Sequence, residues 1–223
     1  MIKLRPGKEL EIAKHKFYEF CQYEGCDHIS GEYALYILLN LCKTYHIKSV
    51  LEIGLGIGCI ADTLLYYYNS IGKPITYVGT EPNAFCLNAL KTNTKFYKDI
   101  KIYDNVNEIN NNKFDLIIID GGDTDLLALE TLVKKDTILF VEGCRKNQFD
   151  KIMKLFPKAI AVDVISVEKN RDYSPFIKSH WMGGGRVIFI NPSLKNYVHY
   201  LKEKLNTKVK YAHRKRIEAK RKA

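Results

Sequence analysis

Three glycines directly follow an apolar, β-forming run early in the chain. The run 49–53 leads into Gly54, Gly56 and Gly58, and a helix-compatible segment, 61–69, comes next. A strand, a tight glycine-rich turn and a helix start form the arrangement in which backbone N–H groups meet a nucleotide-like ligand. The pattern therefore predicts a binding turn for a ligand of this kind.

The glycine spacing and the acid before it narrow the ligand class. A dinucleotide fingerprint, G-x-G-x-x-G, would need glycine at position 59, where the chain has Cys59. Glu52 stands two residues before Gly54. The pattern E-x-G-x-G-x-G after a hydrophobic strand resembles the first motif of the class I S-adenosylmethionine (SAM)-dependent methyltransferases. The resemblance implies SAM as cofactor, bound by Glu52, Gly54, Gly56 and Gly58.

Polar residues also follow the next two predicted strands, at the edge where a doubly wound sheet binds its ligand. Glu81 follows the strand 75–80 and matches the acidic second signature of the family. A carboxylate there can accept hydrogen bonds from both ribose hydroxyls, and a solvated loop carboxylate is the alternative. Asp104 and Asn105 follow the strand 100–103, where the family binds the adenine amino group. Either residue could serve, with turn formation as the alternative.

The run 114–121, which ends in Asp120-Gly121, resembles the fourth signature of small O-methyltransferases related to catechol and caffeoyl-coenzyme A O-methyltransferases. The resemblance implies that Asp120 lies between cofactor and acceptor. Those relatives hold a divalent metal with this acid and an Asp-Asn pair after strand five. Here Glu142 could replace the second ligand, whereas Gly143 cannot supply the third. A Mg²⁺ site built from Asp120, Asp123 and Glu142 stays open.

Methyl transfer to a hydroxyl depends on alignment, on exclusion of water and on a base for the leaving proton. Without a metal, Asp120, Asp123 or His180 would be that base. His180 and Trp181 precede three glycines in a loop before the last predicted strand, a place that can border the acceptor pocket in this fold. The alternative is a hairpin tip whose Trp181 packs on the core.

The order of elements predicts an α/β fold. Five β-rich runs alternate with helix-compatible segments, which is typical of a parallel sheet covered on both faces. Two further β runs without a helix between them predict a closing antiparallel hairpin. We therefore expect a Rossmann-like, doubly wound, seven-stranded sheet. The runs are 50–53, 75–80, 100–103, 114–119, 137–141, 159–167 and 186–190.

The helix patterns and the charge divide the chain into three expected parts. Residues 1–46 would form helices that border the acceptor site, residues 47–193 the SAM-binding core, and residues 194–223 a helix and basic tail. The segment 202–223 holds ten Lys or Arg and two Glu. It therefore carries most of the chain's formal charge of +10, and the remaining residues are together nearly neutral. RNA, an anionic membrane surface and a merely solubilising tail are the alternatives for this basic arm.

The composition favours an ordinary globular protein without an apolar leader or a membrane-spanning run. Six scattered cysteines without a C-x-x-C pair predict reduced thiols and a cytoplasmic location. The sequence therefore predicts a cytoplasmic SAM-dependent methyltransferase that acts on a hydroxyl of a small molecule or sugar. A tRNA or rRNA methyltransferase and a non-catalytic SAM-fold binding protein are the alternatives. The oligomeric state stays open, a homodimer included.

Overall fold

Seven strands form one mixed sheet in the computed structural model, which describes residues 7–110, 112–122, 125–143 and 145–222. The strand order is β3-β2-β1-β4-β5-β7-β6. The strands are β1 Ser49–Ile53, β2 Thr76–Thr80, β3 Ile100–Tyr103, β4 Phe114–Ile119, β5 Val133–Glu142, β6 Ile160–Val164 and β7 Gly185–Phe189. Strands β1 to β5 are parallel, and β7 runs antiparallel between β5 and β6. The predicted doubly wound sheet with a closing hairpin is confirmed.

The helices are α1 Lys8–Phe20, α2 Glu32–Tyr45, α3 Cys59–Ser70, α4 Ala84–Asn93, α5 Leu129–Leu132, α6 Lys146–Leu155 and α7 Leu194–Lys222. Side chains alternate between the two faces of each strand, so each face of the sheet has its own apolar core. In β4, Leu116 and Ile118 belong to the core on one face, and Ile117 and Ile119 to the core on the other. This strand is buried on both faces, as its continuous apolar sequence predicts.

The sequence over 125–133 has a helix-compatible pattern, but the helix there is much shorter in the structure. A 3₁₀ turn, Leu126–Ala128, precedes the single turn of α5, and Val133 already pairs with Phe114 as the first residue of β5. The Thr137 hydroxyl donates to the Phe114 carbonyl at 2.6 Å, which holds the early part of β5 against β4. Strand pairing therefore overrides the helix pattern here, since helix propensity is a weak preference that tertiary contacts override.

The N-terminal helices pack directly on the sheet. Phe17 of α1 and Leu35 of α2 lie in the same apolar core as Leu116 of β4. Lys16 is fully buried, and its ammonium lies 2.6 Å from a carboxylate oxygen of Asp62 in α3. The expected division at residues 46 and 193 stays a prediction, while the packing joins the first helices to the core.

The sequence has a helix pattern over 196–205, and α7 extends much further than that. It continues to Lys222, so most of the predicted basic arm is helical. The helix contacts the body at several points, among them His199, which shares a 2.9 Å hydrogen bond with the Tyr45 hydroxyl. Among the described helices, none combines the length and the apolar character that crossing a bilayer requires.

Candidate active site

A cleft of about 520 Å³ opens at the carboxyl ends of the central strands. One wall is the glycine-rich turn after β1, and the opposite wall is the loop between β6 and β7. The loop before α2 and the ends of β4 and β5 close the cleft. Its lining residues are Asp27, His28, Ile29, Gly31, Gly54, Gly56, Asp120, Glu142, Arg145, Asn170, Phe176, His180, Trp181 and Gly183.

All three glycines of the turn adopt positive φ, a region that disfavours residues with a side chain. Gly54 has φ +91°, and a Cβ there would lie 2.7 Å from the backbone nitrogen of Gly121 after β4. Gly58 has φ +95° and caps the start of α3, where a Cβ would meet Thr94 and Leu90. The glycines therefore bring the turn close to the end of β4 and start the next helix.

Glu81 is held against this turn from the end of β2. Its Oε2 accepts the Gly56 N–H at 2.7 Å, and its Oε1 accepts the Asn83 N–H at 2.9 Å. The side chain is almost fully buried. Because a carboxylate can accept about four hydrogen bonds, both oxygens retain acceptor capacity. The predicted acid and the predicted turn are in direct contact, although Glu81 itself is not among the residues that line the cleft.

Glu52 lies deeper than a direct ligand contact requires. It is 1% exposed and does not line the cleft; its Oε2 accepts the Tyr77 hydroxyl at 2.5 Å. Burial raises the pKa of this carboxyl well above its usual range, and the Tyr77 hydrogen bond only partly opposes that shift. The side chain of Glu52 points into the sheet face that contains Tyr77, so the structure separates it from Gly54 and Gly56 in the cleft wall.

Asp104 and Asn105 follow β3 at an exposed site outside the cleft lining. The Asn105 side chain accepts the Asn107 N–H at 3.0 Å and donates to Glu108, so it caps the short turn 106–108. This is the turn-forming role that was the alternative for these residues. Their contact with an adenine ring stays a prediction.

Two carboxylates and a guanidinium meet at the ends of β4 and β5. Arg145 Nη2 lies 3.1 Å from Asp120 Oδ1, Nη1 donates to the Gly121 carbonyl at 3.1 Å, and Nε donates to the Glu142 carbonyl at 3.1 Å. Arg145 therefore joins the ends of the two strands. The planar fork of donors in a guanidinium suits such a bridge, which a single lysine ammonium would not make.

Burial sets the acidity of both carboxyls. It raises the pKa of Asp120 to about 6, against the opposing effect of Arg145. It raises the pKa of Glu142 to about 8, and the nearby charge of Asp120 adds to that shift. At neutral pH Asp120 is therefore ionised and Glu142 keeps its proton. A pair with separated pKa values is typical of sites that perform acid–base chemistry.

The loop between β6 and β7 covers the cleft with aromatic side chains. Phe176 stacks on Phe17 of the core, at 6.2 Å between ring centroids. Trp181 donates its indole N–H to Glu218 of α7 at 2.8 Å, and the Arg214 guanidinium lies 4.9 Å from the ring centroid. Trp181 thus lines the cleft and contacts α7. It belongs to neither apolar core, so the structure does not place it in core packing. His180 lines the cleft beside it.

Comparisons with known proteins add the fold family. No family model matches the chain, and no curated protein matches it in sequence. Solved structures match it over most of its length. The O-methyltransferase from Bacillus cereus in complex with SAH, the demethylated form of SAM, is 14% identical with a TM-score of 0.52, and the match covers 84% of this chain and 93% of that one.

Two further neighbours agree. The SAH-bound methyltransferase PaMTH1 from Podospora anserina is 14% identical with a TM-score of 0.54, covering 84% of this chain and 98% of its own. The O-methyltransferase TomG from Streptomyces achromogenes, in complex with SAM, is 10% identical with a TM-score of 0.52, covering 86% and 93%. The chain has the class I methyltransferase fold. At such identities the likeness concerns architecture, so the site has to be argued from its own residues.

The class I methyltransferase fold includes enzymes that hold a divalent metal at the ends of β4 and β5, and the described residues do not fit one. Asp120 and Glu142 are present, but Gly143 offers no side-chain ligand, and no group of three ligating side chains occurs in the described ranges. Arg145 already places positive charge against Asp120. Asp123, predicted as a base and as a metal ligand, lies outside the described residues.

Sequence reasoning missed Arg145 altogether. The resemblance directed attention to the acids after β4, Asp120 and Asp123, and placed no cation beside them. The positive charge next to Asp120 comes from Arg145, three residues after Glu142. The two side chains meet because β4 and β5 are neighbours in the sheet. A basic residue just beyond β5 was the available signal. Asp27 and His28, before α2, are further cleft residues that no motif indicated.

Proposed function

We propose that this protein binds SAM in the cleft and transfers its methyl group to a hydroxyl of a small molecule or sugar. One observation carries the proposal: Glu81 Oε2 accepts the Gly56 N–H at 2.7 Å, beside three glycines at positive φ. An acid so placed, at the end of β2 and against the turn after β1, suits a ribose diol. The neighbours that bind SAM or SAH share the fold and support this assignment.

The chain's own groups would bind the cofactor as follows. Glu81 uses its remaining acceptor capacity for the ribose hydroxyls, while Gly54 and Gly56 let the backbone approach the ligand without a side chain between them. SAM, when bound, supplies a methyl group on a positively charged sulfur. The proposed adenine contacts, Asp104 and Asn105, lie beyond the end of β3, next to β2 in the sheet.

Asp120 is the proposed base for the acceptor hydroxyl. Arg145 opposes the effect of burial on its pKa, so the carboxylate is ionised at neutral pH and can take a proton. Glu142 holds its own proton at that pH and can donate a hydrogen bond to an acceptor oxygen. His180 is the second candidate base, and Phe176 and Trp181 give the cleft wall apolar surface that would help to exclude water from the bound reactants.

Calorimetric titration with SAM and with SAH tests the first half of the proposal. We expect a dissociation constant in the micromolar range, about −8 kcal/mol. Replacing Glu81 by Gln should weaken binding by about tenfold or more, because a charge-assisted hydrogen bond contributes about 1.5–3 kcal/mol. Glu130→Gln, an exposed change on α5, is the matched control and should bind as the wild type does. Absence of binding by folded protein would refute the proposal.

Transfer of labelled methyl from SAM tests the second half. Hydroxylated small molecules and sugars are screened beside tRNA and rRNA, with Asp120→Asn as the catalytically impaired control. Labelling of small hydroxyl acceptors, lost in Asp120→Asn, is the expected result. Labelling of RNA alone would show that the acceptor is RNA and not a small hydroxyl compound. Tight SAM binding without transfer to any acceptor would favour a non-catalytic SAM-binding protein.

A further inference from the structure

Helix α7 is attached to the body through polar side chains along one side. Thr207 donates to a backbone carbonyl of β6 at 2.6 Å, and Arg214 donates to a carbonyl in the loop after β6 at 2.7 Å. Between them, Lys210 donates to the Tyr33 hydroxyl at 2.6 Å. These residues recur every three or four positions, so they form one continuous face of the helix.

The opposite face of α7 is apolar and turned away from the body. Five aliphatic side chains, spaced by three or four residues, are between 56% and 82% exposed: Leu194, Val198, Leu201, Leu205 and Val209. We call them the outer stripe. Along a helix they cover about 22 Å at about 1.5 Å per residue. This is the reverse of an ordinary surface helix, which buries its apolar stripe against the core.

Positive charge surrounds the outer stripe. Lys202, Lys204 and Lys208 lie exposed among its side chains, and Lys215, Arg216 and Lys220 continue on the exposed surface of the next turns. The two acids of α7 are engaged on the side of the body. Glu218 accepts the Trp181 indole N–H, and Glu203 lines a pocket together with Tyr33 and Tyr36 of α2.

We propose that α7 docks the protein on the surface of an anionic lipid bilayer, with the outer stripe inserted among the acyl chains. An interfacial helix needs an aliphatic face flanked by lysines and arginines, and it lies in the plane of the membrane with its apolar face shallowly buried. The flanking charges match anionic headgroups. This docking is separate from the proposed methyl transfer, and neither requires the other.

Other occupants fit the outer stripe less well. A second copy of α7 would bring the lysines of both helices together without a carboxylate between them, which is unfavourable. RNA would contact the basic residues, but aliphatic side chains offer no stacking surface for its bases. A groove in a partner protein would surround the helix on several sides, whereas α7 is held to the body along its length by Thr207, Lys210 and Arg214.

Flotation of the full-length protein with vesicles tests the proposal. The vesicles are phosphatidylcholine alone or phosphatidylcholine mixed with phosphatidylglycerol, and we expect binding to the mixed vesicles only. The double variant Leu201→Glu/Leu205→Glu should lower the partition coefficient by about tenfold or more, because it removes two inserted side chains. Raising the salt concentration should weaken binding by the wild type, since the headgroup attraction is screened.

Leu127→Glu is the matched control, because Leu127 is 67% exposed on the body of the protein and outside α7. It should bind vesicles as the wild type does, and circular dichroism should show all variants folded. Equal binding by the double variant and the wild type would overturn the proposal. Failure of the wild type to float with the vesicles would also overturn the proposal. This includes the cases in which the outer stripe mediates a dimer or α7 binds RNA.

Discussion

At the residue scale, the proposed chemistry of the cleft depends on two carboxyls and one guanidinium. Asp120 and Glu142 come from neighbouring strand ends and are both largely buried, which raises the pKa of each. Arg145 bonds Asp120 directly and the backbone of Glu142. The guanidinium therefore favours the ionised form of one acid, while the other keeps its proton at neutral pH.

The raised pKa of Glu142 has a consequence for stability. Its folded value of about 8 lies above 4.5, so its proton is bound more tightly in the folded state. The stability it contributes is fully present below about pH 4.5 and is lost as the pH rises through about 8. Glu142→Gln removes this loss, so its melting temperature relative to the wild type should increase from about pH 5 to about pH 8 and level off above that.

Thermal melts of the two proteins across that pH range measure the difference. Glu130→Gln, at an exposed position, controls for the removal of one carboxylate. A constant offset between Glu142→Gln and the wild type at every pH would show that Glu142 is already ionised in the folded protein throughout this range. The predicted acid–base roles in the cleft would then need reassignment.

At the element scale, the glycine turn after β1 closely approaches the end of β4, beside the proposed cofactor site. Gly54→Ala would place a methyl group 2.7 Å from the Gly121 nitrogen and would also strain a φ of +91°. Gly72→Ala is the matched control, because its φ is +63° and nothing lies within 4 Å of the added methyl. Each change costs about 1–2 kcal/mol for the left-handed backbone, and only Gly54→Ala adds the clash.

Urea unfolding and SAM titration of both variants test this difference. Gly72→Ala should lose only the backbone contribution and bind SAM normally. Gly54→Ala should lose more stability and bind SAM at least about tenfold more weakly, because proper alignment of the turn is lost. Similar losses of stability and similar affinities in the two variants would contradict the structural role given to Gly54.

A buried ion pair joins two other elements. Lys16 of α1 lies 2.6 Å from Asp62 of α3 and 2.8 Å from Glu19, and both Lys16 and Asp62 are inaccessible to solvent. Lys16→Met should cost about 3–5 kcal/mol of unfolding free energy, because it leaves the Asp62 charge buried without its partner. Lys43→Met, which breaks the more exposed pair with Glu9, should cost about 1 kcal/mol or less.

Urea denaturation gives the unfolding free energy of both variants. The double variant Lys16→Met/Asp62→Asn tests whether the loss in Lys16→Met comes from the unpaired Asp62 charge. Removing the second charge should recover part of the loss, because no isolated carboxylate then remains in the interior. If Lys16→Met were no more destabilising than Lys43→Met, the pair would not hold α1 against α3.

At the scale of the whole molecule, stability is unevenly distributed. Strand β4 lies at the centre of the sheet between two apolar cores, whereas α7 is held by hydrogen bonds with little apolar burial. We therefore expect the amides of Leu116–Ile119 to exchange only on global unfolding. Amides of α7 beyond Thr207 should exchange much faster, through local opening.

Hydrogen exchange followed by mass spectrometry measures both segments in one experiment, with peptides from β4 as the internal reference. Exchange of α7 as slow as that of β4 would show that the helix opens only with the core. The expectation that residues 194–223 behave as a separate part, which is so far a prediction, would then be wrong.

Local patterns in the sequence determined much of this protein. Alternation of β runs and helix patterns predicted the seven-stranded sheet, because strand and helix periodicities are properties of short segments. The glycine motif predicted the tight turn after β1, and the acid after β2 indicated Glu81, which accepts the Gly56 N–H. These predictions were possible because each depends on residues that are close together in the chain, at the end of a single strand.

Only the tertiary structure decided the remaining features. Arg145 meets Asp120 because β4 and β5 are neighbours in the sheet, although 25 residues separate the two in the chain. Glu52 faces Tyr77 rather than the cleft, since the direction of a strand side chain depends on the layers that cover it. The spacing of the apolar residues in α7 puts them on one side of the helix. Only tertiary packing decides that the polar side faces the body and that Leu201 and Leu205 stay exposed, because this orientation depends on contacts with strands that are distant in the chain.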